Sequence, residues 1–127
     1  RRFMDFVLVL ITKIIVKRFE DGLPPIDAQY LARKSNLPIR MVNDALKTLT
    51  NINIVVEIID DKNNRTYMPA IDINKISVAM VIDRIESAGK ENFGIRRDSQ
   101  YADIWRQIMD IKDKTIAENS RLLIKDI

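Results

Sequence analysis

Three side chains on one short stretch offer the most chemistry in this sequence: Arg40, Asn43 and Lys47. Spaced three and four residues apart, they share one face of a helix. A guanidinium, a carboxamide and an ammonium on such a face are the groups that reach base edges and phosphates when a helix lies in the major groove of a duplex. Thr48 borders the set, and Asp44 sits in the middle of the same face. The acid weakens the argument, and a plain solvated helix face is the reading that competes with nucleic-acid contact.

Other chemistry has little to work with. The chain has no cysteine and no histidine, which removes thiolate and imidazole metal sites, disulfides and His-activated nucleophiles. For a Mg²⁺-dependent nuclease the nearest acidic sets are Glu20-Asp21 and Glu57 with Asp60 and Asp61. Magnesium needs a near-octahedral set of oxygens, and neither spacing announces one. Glu20-Asp21 reads as a solvated helix end and Asp60-Asp61 as turn chemistry. No catalytic residue, metal or cofactor is expected.

The elements that must position Arg40, Asn43 and Lys47 are legible in order. With 127 residues, 46% of them hydrophobic and 31% charged, the chain is one domain able to bury a core. A first helix spans residues 1–22, and its segment 6–16 is apolar at nine of eleven positions, far short of the roughly 20 residues a bilayer requires. Phe3, Phe6, Val7, Leu10, Ile14 and Ile15 give one apolar stripe, while Leu8, Val9, Ile11 and Val16 fill the remaining circumference. A helix apolar all round is buried on two sides. The second side must meet the far end of the chain, a partner subunit or material upstream. Gly22 and Pro24-Pro25 end it.

Residues 27–50 form a helix-turn-helix. Asp27 caps its first helix, Leu31 points inward, Ser35-Asn36-Leu37-Pro38 makes the turn, and Val42, Leu46 and Leu49 line the buried face of its second helix. The β-branched run in 53–59, the Asp60 to Asn64 turn and Arg65 to Met68 predict a hairpin over 53–69. Ser77 caps a helix over 77–88, with Gly89 just past its end. Lys90 to Ser99 is a polar connection in which Arg96 and Arg97 are available to anionic headgroups. A last helix over 100–118 aligns Tyr101, Ile104, Trp105, Ile108 and Ile111. The tail Leu122-Leu123-Ile124 is too apolar to hang free, so it docks on the first helix or on a neighbour. The fold class is therefore mostly α with a small β-hairpin: a winged helix-turn-helix with additional C-terminal helices. Leu8, Ile11, Trp105, Leu122 and Leu123 are the candidates for an interaction face, and a homo-oligomer is expected.

Charge divides the nucleic-acid argument. The net charge is +3 overall, and residues 27–49 carry four cations against two carboxylates. At the hairpin, Asp60 and Asp61 offset Lys62 and Arg65, and a neutral wing holds phosphates poorly.

The order of Lys17 to Pro25, Leu31-Ala32, Leu37-Pro38-Ile39-Arg40, Leu46 and the run Tyr67 to Ile76 resembles the C-terminal region of the YihY/BrkB family of bacterial inner-membrane proteins, often labelled ribonuclease BN. The resemblance covers essentially the whole chain. It implies a membrane domain preceding Arg1, a location on the cytoplasmic face of the bacterial inner membrane, and a winged helix similar to those of iron-sulfur-sensing repressors. The cysteines of such sensors are missing here. The expected function is a non-enzymatic winged-helix module for protein contact, self-association or regulation. Nucleic-acid binding, to DNA or tRNA, through the second helix of the helix-turn-helix is the alternative.

Overall fold

The computed structural model describes residues 2–90 and 102–127. Over these run helices α1 (Arg2–Glu20), α2 (Ala28–Ser35) and α3 (Ile39–Asn51), strands β1 (Val55–Ile59) and β2 (Arg65–Pro69), helices α4 (Val78–Lys90) and α5 (Ala102–Glu118), and a short 3-10 turn, Ile124–Asp126. None of these helices is long and apolar enough to cross a membrane.

Helix α1 carries apolar residues on two sides, and this chain covers only part of them: of the expected stripe Val7 and Ile15 are buried, Leu10 and Ile14 are half-buried, and Phe3 and Phe6 stay exposed. Val7, Leu8, Ile11, Ile15 and Val16 are buried, and α1 packs against α2, α3, β2, α4 and the 3-10 turn. Leu8 and Ile11 are thus core residues and not an interaction face, and Ile124 from the tail helps enclose them. The one buried polar side chain of this helix among the described residues, Thr12, donates its hydroxyl to the Leu8 carbonyl at 2.7 Å, so its burial leaves no donor unmet.

Each of the first three helices is stopped by a residue in the left-handed region: Gly22 (φ 72°), Asn36 (φ 58°) and Asn53 (φ 61°). After α1, the Leu23 amide reaches the Arg18 carbonyl while the Gly22 amide reaches Phe19; after α3, Ile54 reaches Leu49 while Asn53 reaches Thr50. These paired bonds cap the last carbonyls and reverse the chain. Asparagine tolerates this conformation better than other residues with a Cβ, so Asn36 sets the turn between α2 and α3, and Asn53 throws the chain into β1. At the other end of α2, Asp27 accepts from the Tyr30 amide at 2.8 Å, as expected of an N-cap.

The hairpin is antiparallel, with Glu57 opposite Tyr67 and Ile59 opposite Arg65. Its loop is held by Asp60, whose carboxylate accepts from the Lys62 and Asn64 amides at 2.9 and 2.8 Å, and by Asn63 at φ 64°. The Tyr67 amide also donates to the Ile26 carbonyl at 2.8 Å, fixing the wing to the chain entering α2. Arg84 of α4 donates to the carbonyls of Ile52 and Asn53 at 3.1 and 3.2 Å, clamping the turn between α3 and β1.

The tail returns to the body. Val78 donates to Leu122, and Ile124 donates to Ile76, both at 2.9 Å. Ser77 caps α4 through the Met80 amide at 3.0 Å. Helix α4 continues through Gly89 to Lys90, so Gly89 is not its stop. Beyond it, residues 91–101, including Tyr101, Arg96, Arg97 and most of the expected polar connection, lie outside the described residues. Helix α5 meets α4 through Lys112, whose Nζ lies 3.2 Å from Asp83 and 3.3 Å from Glu86. Burial lowers the affinity of Lys112 for its proton, but the two carboxylates outweigh it and leave the pKa raised.

Ile124 is fully buried, and Ile→Ala at such positions costs about 2–5 kcal/mol. Ile124→Ala therefore lowers the urea midpoint of unfolding strongly, whereas Leu122→Ala, at a position 53% exposed, leaves it nearly unchanged.

Candidate nucleic-acid interface

The rotation of α3 is set by what it buries. Val42, Ala45, Leu46 and Leu49 face the core, which leaves Arg40, Asn43, Asp44 and Lys47 exposed and Thr48 half-buried. Nothing on this face is paired to an acid among the described residues.

Asn43 and Lys47 line an open groove of about 500 Å³ between α3 and the wing. Asn51, one turn further along the helix, continues their row, and Glu57, Arg65 and Tyr67 supply the opposite wall. Arg40 lies outside this groove, near the N-terminus of α3. Residue type and spacing alone do not mark Asn51, Arg65 or Tyr67 as site residues. Asn51 continues the four-residue spacing of Asn43 and Lys47, but the other wall depends on the hairpin register, which periodicity alone does not set.

The wing's charges are arranged more favourably than its composition suggests. Asp60 turns its carboxylate to its own loop amides, and Arg65 Nε lies 3.3 Å from Glu57 in an exposed pair. Such pairs are weak, so Arg65 is only loosely held. Tyr67 has a raised pKa, chiefly from burial and then from the Glu57 carboxylate, with Arg65 pulling the other way. Its hydroxyl keeps its proton as a hydrogen-bond donor at neutral pH.

The acidic sets considered for a metal serve other purposes: Glu20 lies 2.9 Å from Lys17 and 3.6 Å from Lys125, and no group of three potential ligands occurs among the described residues. Of the remaining interaction-face candidates, Leu122 is exposed and Leu123 half-buried, and the Trp105 side chain lies outside what is described. On α5, Ile104, Ile108 and Ile111 are exposed.

No protein-family model and no curated protein matches the chain. Solved structures do. CymR (YrzC), described as the global cysteine regulator of B. subtilis, superposes with a TM-score of 0.63 at 16% identity, over 97% of this chain and 91% of that one. IscR from T. potens gives 0.64 at 14%, over 97% and 81%. A protein from Listeria innocua described as a putative transcriptional regulator gives 0.62 at 20%, over 98% and 82%. The fold is a winged helix. At these identities the likeness is one of fold, extending over nearly the whole chain, including the helices beyond the wing.

The Tyr67 phenol is testable directly. In a Tyr30→Phe, Tyr101→Phe background, ultraviolet absorbance titration places Tyr67 above its ordinary value of 10.0, and Glu57→Gln lowers it without restoring that value, because burial is the larger cause. Since the folded-state value is the raised one, the stability linked to Tyr67 is intact below pH 10.0 and is lost as pH climbs through the folded value.

Proposed function

We propose that this chain is a DNA-binding transcriptional regulator of the winged-helix kind represented by CymR and IscR, acting as a homo-oligomer. The observation that carries the reading is the convergence of Asn43, Lys47 and Asn51 on one groove with Arg65 and Tyr67 of the wing. Helix α3 enters the major groove, where Arg40 and Asn43 meet base edges and Lys47 meets a phosphate. Arg65 leaves Glu57 for a second phosphate. The regulators that share the fold support this nucleic-acid reading over simple protein contact.

Self-association is supported by apolar surface outside α3 and the wing. Ile104, Ile108 and Ile111 of α5 are about half exposed or more, as are Phe3 and Phe6 at the start of α1. A two-fold pairing through such a surface places two copies of α3 on successive turns of one duplex face. An upstream membrane domain, implied by the YihY/BrkB resemblance, is not needed for this work.

The reading is tested with duplexes selected from a randomised library by the wild-type protein and measured by fluorescence anisotropy. Lys47→Glu weakens binding to every duplex and makes it less sensitive to salt. Asn43→Ala costs about 1–3 kcal/mol on the selected duplex and little on a scrambled one. Lys114→Glu, on the exposed side of α5, changes neither. Absence of duplex binding at low salt, or indifference to Lys47→Glu, refutes the proposal.

A further inference from the structure

A second cleft lies between α1 and α2, and it shares no residue with the α3–wing groove. It has a volume of about 340 Å³, within the range of small-molecule sites. One wall is apolar: Leu10 and Ile14 of α1 and the ring of Tyr30 are only half-buried, so the fold leaves this surface available. The rim is cationic, with Lys13, Lys17, Arg18 and Lys34 against a single carboxylate, Asp21.

The cations differ in how far they are committed. Arg18 donates through Nε to the Pro24 carbonyl at 2.7 Å and stacks over the Tyr30 ring at 4.9 Å, so it builds the wall. Lys17 lies 2.9 Å from Glu20 and 3.9 Å from Asp21, so its charge is already shared between two carboxylates. Lys13 and Lys34, one from each helix, form no ion pair among the described residues.

An apolar wall alone would suit any greasy surface, and cations alone would suit a bare phosphate. The two together select a molecule with both parts. We propose that this cleft binds a small amphipathic anion, its apolar body against Leu10, Ile14 and Tyr30 and its carboxylate held by Lys13 and Lys34. Bound there, the ligand links α1 to the first helix of the helix-turn-helix. With no cysteine or histidine in the chain, this chemistry requires neither thiolate nor metal.

The probe is monomeric decanoate, titrated calorimetrically into the full chain without DNA, so that the result is independent of the proposed DNA contacts. Decanoate binds saturably with one site per chain, and decyltrimethylammonium does not bind at the same concentrations. Lys13→Glu/Lys34→Glu weakens decanoate binding at least about tenfold, since two charge-assisted contacts are lost, while thermal unfolding confirms that the variant is folded. Equal binding of the cationic probe, or unchanged affinity in the double variant, overturns the proposal. So does loss of binding in Phe3→Ser/Phe6→Ser with the lysines intact, which places the probe on the exposed aromatic pair instead. Cosedimentation with phosphatidylglycerol vesicles in the absence of decanoate binding identifies a membrane surface as the source of the anion and likewise overturns it.

Discussion

A 19-residue helix that is apolar on two sides must be enclosed, because leaving either side in water forfeits the burial that holds the domain together. Enclosing α1 dictates most of the architecture. The helix-turn-helix, the wing, α4 and the chain's own end all pack against it, and Ile124 is held there by its bond to Ile76 at 2.9 Å. The buried set therefore joins residues from both termini, Val7 to Ile124, and α3 acquires its orientation from the far side of the same core. What α3 offers to solvent is a by-product of what it surrenders to α1.

The two grooves on the surface follow from that arrangement but differ in character. Where α3 faces the wing, carboxamides and cations dominate, and of the hairpin's acids Asp60 is engaged with its own loop and Glu57 with Arg65, while Asp61 stays exposed. Where α1 faces α2, aliphatic side chains remain partly uncovered beneath lysines. The helix-turn-helix stands between the two, so α2 contributes to both without any single residue belonging to each.

Much of this was readable from local chemistry. Asp27 and Ser77 announce their caps through side-chain oxygens that satisfy amides three residues on, and the Asp-Asn-rich segment 60–64 announces a hairpin loop. Such signals are short in range and carry their own physics. Leu8 and Ile11 show where that legibility ends: periodicity states that a residue is buried, never by what, so the far end of the chain, a partner and upstream material stay equal choices until Ile124 is seen in the same core. Gly89 illustrates a different limit, since a glycine costs a helix only about 1 kcal/mol relative to alanine, and α4 runs through it. The wall of the α3–wing groove depends on Glu57 facing Tyr67, a register that emerges only when the two strands are paired.

The return of residues 122–124 to residues 76–78 also changes what α5 is. It is not a terminal extension but the far part of an excursion pinned at both ends. The entropy of closing such an excursion varies slowly with its length, by about 0.6 kcal/mol for each doubling. Loop closure itself therefore sets little limit on the length of the excursion, while Lys112 holds α5 to α4. The length of α5 and its row of bare isoleucines are free to be fitted to an outside surface while the core around α1 stays as it is.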